Sequence, residues 1–184
     1  MSVFTEHTAE TAPAAVRRTM EGVQGRFGWL PTGVALMAES PQLLTGFLTA
    51  SAGFEQTDLA PLEREVVILA VSTTHECHFC VALHTGKLHQ LGASTELIAA
   101  LRSATELPEL RLEALRRFTL AVMEHRGAVP DDQLDDFLAA GYQPRHALDV
   151  VLGVGAYTIS TFTNRLTRAP LDPPLAAHAW TPAA

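Results

Sequence analysis

Residues 59–92 read LAPLEREVVILAVSTTHECHFCVALHTGKLHQLG and decide the fold. The run Val66 to Val71 is apolar on every side and follows charged residues, so it predicts a central helix over 59–74 rather than a strand. A second helix is expected from near Cys77 to Gly92, because glycine commonly ends helices. The segment therefore predicts two successive helices, with both cysteines of the chain near the start of the second.

The rest of the chain also has helical spacing of its apolar residues, and it contains no hairpin turn, alternating strand pattern or fixed repeat. Further helices are predicted over 13–24, 31–38, 41–50, 95–103, 109–126, 130–140 and 144–168. We expect an all-α fold, a single domain of about eight helices over 1–184. Its core is expected at 26–168, with frayed residues 1–12 and an extended Pro-rich tail at 169–184.

Composition narrows the class of protein. The chain has 184 residues, 47% hydrophobic content and a formal net charge of -7, which is typical of a soluble acidic globule. It has no basic cluster for nucleic acid, no signal-peptide pattern and no apolar run long enough for a bilayer. We therefore expect a cytoplasmic protein without a nucleic-acid or membrane partner. Structural disulfides are rare in the cytoplasm, so a lone Cys-x-x-Cys pair indicates redox chemistry or metal binding.

Four side chains form a candidate redox site. Cys77 and Cys80 are three residues apart, so they share one face of a helical turn and can close a disulfide. His84 lies four residues after Cys80 and is expected beside that sulfur. A tight turn between the two helices can bring the Glu65 carboxylate to the same place. Cys77 should be the more acidic thiol, because the unpaired N–H groups at a helix start favour thiolate.

Two other interpretations use the same residues. A zinc module would take Cys77, Cys80 and His84 as ligands, although three ligands within one helical segment strain a tetrahedron. Its fourth ligand would come from Glu65, His75, His78 or His89. Alternatively, the thiols are small buried hydrophobes in a non-catalytic interaction protein. Covalent haem attachment is excluded, because Val81 stands where histidine is required.

The motif Glu65, eleven residues, Cys77-x-x-Cys80, three residues, His84 resembles that of the alkyl hydroperoxidase D-like group of the carboxymuconolactone decarboxylase superfamily. Weaker flanking matches extend the resemblance over most of residues 26–168. They are Gly28-Trp29-Leu30-Pro31, Ser40-Pro41, the LAPLERE stretch, Leu91-Gly92 and Asn164-Arg165. The resemblance implies an all-helical fold, homo-oligomers, and thiol peroxidase or disulfide reductase activity that acts on a small-molecule hydroperoxide.

The resemblance also assigns roles. Cys80 would be the peroxidatic thiol and Cys77 the resolving one, which reverses the order suggested by the helix start. His84 would take the thiol proton, through water, and Glu65 would orient His84. A lipoyl-bearing or thioredoxin-like reductant would reopen the disulfide, and no cofactor or metal is implied. His78 is interpreted as an exposed bystander, Asn164 as a weak candidate, and lactone decarboxylation is not expected because both thiols are kept.

Overall fold

The computed structural model describes residues 3–182, which contain nine α-helices, two 3-10 helices and no strand. The α-helices are α1 (Arg17–Phe27), α2 (Thr32–Met37), α3 (Pro41–Glu55), α4 (Pro61–Thr74), α5 (His78–Gln90), α6 (Thr95–Arg102), α7 (Leu110–Glu124), α8 (Asp131–Ala139) and α9 (Pro144–Thr167). The 3-10 helices span Ala14–Val16 and Pro173–His178. The predicted all-α fold is confirmed, and eight of the α-helices have more than seven residues.

Helix α4 is the central element of the main core. Every residue from Val66 to Val71 is buried, and α4 contacts α5, α6, α7 and α9. The helix starts at Pro61, whose missing N–H costs nothing at a first helical position. The Glu63 carboxylate accepts a hydrogen bond from the Ala60 backbone N–H at 2.8 Å. An all-round apolar helix thus occupies the centre, as the sequence predicts.

A tight turn joins α4 to α5 and reverses the chain. Glu76 adopts a left-handed backbone with φ 51°, and the Cys77 N–H donates to the Ser72 carbonyl at 2.9 Å. Arg165 of α9 donates to the carbonyls of His75 and Glu76 at 2.6 and 2.9 Å. These contacts fix Cys77 directly before α5, so both thiols lie between α4 and α9.

The N-terminal part packs as a smaller layer. Helices α1, α2 and α3 share an apolar cluster that includes Met20, Val34, Met37 and Leu44. The helix predicted over 13–24 continues to Phe27, and Gly28 with φ 81° ends it. This layer lies against the thiol end of α5 and forms one side of the cavity described below.

Both chain ends differ from the expectation of loose segments. The His7 N–H donates to the Ala35 carbonyl at 3.2 Å and Ala12 is buried, so the prediction of frayed residues is wrong for 7–12. The tail forms the 3-10 helix at Pro173–His178, which packs on α5 instead of staying extended. The prolines favour an extended chain locally, but burial of the tail's apolar side chains offsets that preference. Residues 1–2 and 183–184 of the two expected segments lie outside the described residues.

The buried carboxylate of Asp172 ties the tail to α2. It accepts hydrogen bonds from the Thr32 N–H at 3.1 Å and from the Trp29 Nε1–H at 3.3 Å. A carboxylate at a helix start satisfies an unpaired N–H and complements the positive end of the helix. Within residues 3–182, none of the helices combines the length and the apolar character needed to cross a membrane.

Candidate active site

Glu65 and His84 form a buried hydrogen-bonded pair across the α4–α5 contact. Glu65 Oε2 lies 2.6 Å from His84 Nδ1, and the two residues are 6% and 5% exposed. A buried carboxylate is costly without a partner, and this pairing compensates for its burial. Lys87 Nζ adds a more distant positive charge, 3.9 Å from Glu65 Oε1. Because Nδ1 is engaged by Glu65, Nε2 is the ring nitrogen left to exchange a proton with the cavity.

The two thiols are adjacent but differ in what they face. Their Sγ atoms lie 3.1 Å apart, both are reduced, and both are buried. Cys80 lines a cavity together with His84, whereas Cys77 does not line it. The pair therefore has one sulfur that a small molecule can reach and one sulfur directly behind it.

The two thiols differ in their pKa values. The pKa of Cys77 is lowered, chiefly because its thiolate accepts a hydrogen bond from Cys80 and also because of backbone N–H groups. The pKa of Cys80 is raised well above its ordinary value by the same pairing, by burial and by repulsion from Cys77. The first negative charge thus belongs on Cys77, and a proton must leave Cys80 before that sulfur can act as a nucleophile.

Helix α9 supplies polar groups to the Cys80 sulfur. The Asn164 Nδ2–H donates to Cys80 Sγ at 3.3 Å, and Ser160 Oγ lies 3.6 Å from the same sulfur. The Tyr157 ring contacts the His84 ring edge-on, with centroids 5.2 Å apart. Asn164 Oδ1 is buried without a hydrogen-bond partner and faces Gly33 of α2, where an added Cβ would lie only 2.5 Å away. Asn164 is therefore held by a backbone that approaches it closely.

The family model for the carboxymuconolactone decarboxylase family matches residues 38–129, half of the chain, and includes all four predicted site residues. The chain belongs to the carboxymuconolactone decarboxylase family. A comparison with curated protein sequences gives no match.

Solved structures share the fold of this family member over nearly its whole length. A peroxidase-related protein with an alkylhydroperoxidase core from Ralstonia eutropha is 19% identical, covers 99% of this chain and 98% of its own, and has a TM-score of 0.83. A peroxidase-related protein from Silicibacter sp. is 18% identical, with coverage of 95% and 97% and a TM-score of 0.77. A debrominase in complex with 2,3,4-tribromopyrrole is 14% identical, with coverage of 97% and 96% and a TM-score of 0.75. At these identities the similarity establishes the fold.

The cavity above Cys80 has a volume of about 280 Å³ and mainly apolar walls. Much of the wall lies outside the part of the chain matched by the family model. Helices α1 and α2 contribute Val23, Phe27, Val34 and Met37, and α9 contributes Tyr157, Ser160 and Asn164. Its charged rim is formed by Arg26, Glu55 and Lys87, in which Arg26 Nη2 lies 3.2 Å from Glu55 Oε1. The site therefore combines a polar, thiol-bearing floor with an apolar enclosure.

The arrangement of donors does not suit zinc. Among residues 3–182, no group of three His, Cys, Asp or Glu side chains is placed to hold a metal ion. His84 directs Nδ1 to Glu65, His75 Nδ1 lies 2.9 Å from Thr161 Oγ1, and the His89 ring stacks on His178. His78 is half-buried and does not line the cavity. The thiols therefore lack the additional nitrogen or oxygen ligands of a structural zinc site.

Sequence reasoning underestimated α9. It ranked Asn164 as a weak candidate and did not single out Ser160 or Tyr157. These residues follow one another at intervals of three and four on the buried face of α9. The sequence could have indicated these residues by their polar side chains at helical spacing on an otherwise apolar face of α9. Buried polar groups require hydrogen-bond partners, so such a pattern predicts a polar site.

Proposed function

We propose that this protein is a thiol peroxidase that reduces small organic hydroperoxides through Cys80 and Cys77. The observation that carries the proposal is the position of Cys80, which lines a mainly apolar cavity and whose Sγ lies 3.1 Å from a second sulfur. His84 lines the same cavity and is paired with Glu65, so the cavity that Cys80 lines also contains a proton acceptor.

In the first step, His84 Nε2 accepts the Cys80 proton directly or through one water, and Glu65 stabilises the imidazolium that forms. The Cys80 thiolate attacks the terminal peroxide oxygen, an S–O bond forms and the O–O bond breaks. The proton held by His84 goes to the leaving oxygen, so the products are a Cys80 sulfenic acid and an alcohol. The Asn164 Nδ2–H, 3.3 Å from Sγ, stabilises the thiolate.

In the second step, Cys77 attacks the sulfenic sulfur, which is already adjacent. The Cys77–Cys80 disulfide forms, and the hydroxide that leaves takes up a proton from solvent to become water, so two thiols are oxidised for each hydroperoxide reduced. The lowered pKa of Cys77 increases the fraction of this sulfur that is available as thiolate for the attack. An external dithiol, lipoyl-bearing or thioredoxin-like, then reopens the disulfide. A reducing cytoplasm is the compartment that supplies such dithiols.

The cavity selects the kind of hydroperoxide. A volume of about 280 Å³ lies just below the usual range for ligand pockets, roughly 300–1,000 Å³, and suits a small substrate. Its apolar walls favour an alkyl or aryl hydroperoxide such as cumene hydroperoxide over hydrogen peroxide, because they gain free energy from burying a hydrocarbon group.

Stopped-flow mixing with cumene hydroperoxide tests the proposal, with free thiols counted before and after. We expect two thiols to be lost per chain. Cys80→Ser should abolish peroxide consumption, whereas Cys77→Ser should still reduce one equivalent and accumulate a sulfenic acid that dimedone traps at Cys80. Unchanged peroxide consumption by Cys80→Ser would overturn the mechanism, and dimedone labelling at residue 77 in the Cys80→Ser protein would reverse the order of the cysteines.

Reductive debromination of a small aromatic ring is a second candidate function. The cavity has aromatic walls at Phe27, Phe47 and Phe79, and a debrominase that binds a brominated pyrrole shares the fold. The same dithiol would supply two electrons, giving the debrominated ring, bromide, a proton and the Cys77–Cys80 disulfide. Bromide release from 2,3,4-tribromopyrrole, without peroxide consumption by the same sample, would favour this function over the peroxidase.

A further inference from the structure

A second cavity borders the cavity above Cys80. It has a volume of about 580 Å³ and lies between the end of α1, the second half of α5 and the 3-10 helix of the tail. This outer cavity has walls that include Trp29, His89, Gln90, Leu175 and His178. Both cavities are lined by four shared residues, which are Arg26, Phe27, Leu83 and Lys87. The two cavities are therefore neighbours with a common boundary.

Helix α5 runs along both cavities. Cys80, His84 and Lys87 follow one another at intervals of four and three residues, so they lie on one face of the helix. Lys87 lies seven residues after Cys80, which corresponds to about 10 Å along the helix axis. The apolar side chains of Phe27 and Leu83 line the boundary between the two cavities. A reactive sulfur, an apolar boundary and a cation thus follow one another along this face.

The outer cavity carries positive charge. Arg26 and Lys87 line it, and within residues 3–182 none of its wall residues is acidic. The side chains of these two cations are 61% and 29% exposed, so both can contact a ligand that enters from solvent. His89 and His178 add imidazole groups to the same wall, with ring centroids 5.2 Å apart. A cavity with cationic walls attracts negatively charged ligands.

Three carboxylates lie near the outer cavity without lining it. Glu55 lines the cavity above Cys80, where its Oε1 lies 3.2 Å from Arg26 Nη2 and 3.9 Å from Lys87 Nζ. Glu65 and Asp172 are buried, line neither cavity and are held by hydrogen bonds of their own. Ion pairs as exposed as those of Glu55 are weak, so an incoming anion can compete with Glu55 for both cations.

We propose that the outer cavity is a carboxylate subsite, and that the substrate is an alkyl hydroperoxide with a carboxylate at the far end of its chain. The peroxide group reaches Cys80, the hydrocarbon chain passes Phe27 and Leu83, and the carboxylate lies between Arg26 and Lys87. This substrate class rests on the proposed peroxidase function. The carboxylate is unchanged in the reaction, in which the peroxide group becomes a hydroxyl group as the disulfide forms and water is released.

The distance between the sulfur and the cations sets the length of the substrate. A carboxylate bound at Lys87 lies about 10 Å from Cys80 along α5, so several methylene groups must separate it from the peroxide. Each methylene group buried against the apolar walls adds affinity. The planar guanidinium of Arg26 can bind a carboxylate through two hydrogen bonds, which fixes the orientation of the chain. Octanoic acid has a chain of suitable length and provides the probes below.

Calorimetric titration of the reduced full chain with octanoate and with uncharged octanamide tests the subsite without any reaction. Octanoate should bind about tenfold or more tightly than octanamide. Lys87→Gln and Arg26→Gln should each weaken octanoate binding about 5- to 10-fold, whereas Glu55→Gln should strengthen it about two- to fivefold by freeing both cations. Arg18→Gln is the matched control, because Arg18 is exposed on α1 and lines neither cavity. Equal binding of octanoate and octanamide would overturn the proposal.

A kinetic test compares the terminal hydroperoxide of octanoic acid with its uncharged methyl ester. The acid should have a kcat/KM about tenfold or more above that of the ester. In Lys87→Gln this ratio should fall about 5- to 10-fold, and the ratio cancels any effect of Lys87 on Glu65. Equal kcat/KM values for acid and ester would reject the substrate class. Cation-dependent octanoate binding without consumption of any hydroperoxide would confirm the carboxylate subsite and reject the peroxidase function.

Discussion

The reactive groups of the candidate site and the walls of its cavity come largely from different helices. The reactive groups Glu65, Cys77, Cys80 and His84 all lie on α4, α5 and the turn between them, inside the 38–129 region matched by the family model. The enclosure above them comes in part from α1, α2 and α9, outside that region, and in part from α3 and α5, inside it. We expect the groups of α4 and α5 to determine reactivity, and the enclosing helices to contribute most to substrate choice. Three predictions test that division, from the largest expected effect to the smallest, and a fourth tests the pairing of the two thiols.

Glu65→Gln should lower the peroxide reduction rate by about 10²- to 10⁴-fold, the range expected when a proton-transfer pair is disabled. The amide cannot stabilise a protonated His84 as the carboxylate does. Rapid-mixing kinetics with cumene hydroperoxide measure the rate. Glu55→Gln is the control, because Glu55 lies on the cavity rim with a 38% exposed side chain, and its loss should change the rate by less than about threefold. Equal losses in both variants would contradict a special role for Glu65.

Gly33→Ala should lower the rate by about 10- to 100-fold, although Gly33 lies outside the reactive region. A methyl group there meets Asn164 Oδ1 at 2.5 Å and must displace the amide from Cys80. One charge-assisted hydrogen bond to the thiolate is worth about 1.5–3 kcal/mol, which corresponds to this range. A lower rate would show that α2, which is part of the enclosure, also affects the reactivity of Cys80. The variant therefore tests whether the enclosing helices influence substrate choice alone.

The control for that substitution is Gly25→Ala in α1, where nothing lies within 4 Å of the added methyl group. It should keep the rate and raise the free energy of unfolding by about 0.5–1 kcal/mol, because alanine favours a helix interior. A loss of activity in Gly25→Ala equal to that in Gly33→Ala would show that the effect is a general disturbance of the N-terminal layer.

Val23→Trp should change selectivity rather than reactivity. The indole would fill part of the cavity from α1, so kcat/KM for cumene hydroperoxide should fall about tenfold while that for hydrogen peroxide stays within twofold. Glu21→Trp, on the exposed side of the same helix, should leave both values unchanged. If both substrates were affected alike, the walls would not determine substrate choice.

The thiol titration should show two well-separated steps. The first thiolate, on Cys77, should form below the ordinary pKa of 9.0, because the lowered pKa favours the charged form at lower pH. The second should form only well above that value. Absorbance at 240 nm during a pH titration measures both. In Cys80→Ala the Cys77 thiolate loses its principal hydrogen bond, so its titration midpoint should move to higher pH; an unmoved midpoint would contradict the pairing.

The sequence predicted the α4–α5 half of the site better than its enclosure, for a physical reason. Cys77, Cys80 and His84 are close in sequence, so helical periodicity alone places them together, and a short turn brings Glu65 within reach. The Asp172 contact with Thr32 joins residues 140 positions apart. Local spacing carries no information on such pairings, and the prolines near Asp172 even favoured an extended tail.

The helix-start argument and the family resemblance each identified a different property of the two thiols. The helix start predicted the more acidic sulfur at Cys77, and the structure lowers the pKa of that residue. The family resemblance assigned the attack to Cys80, which is the sulfur that lines the cavity. Cys77 is thus the more acidic thiol, and Cys80 is the thiol that lines the cavity. The three-dimensional structure is needed to tell these two properties apart.

The Asp172 carboxylate also has a consequence for how the protein matures. Thr32, whose N–H it holds, leaves the ribosome 140 residues earlier, so α2 has no partner for that group while most of the chain is being made. The contact between the tail and α2 can form only after translation has passed residue 172. A nascent chain that has not reached this residue therefore lacks the hydrogen bonds that join the tail to α2.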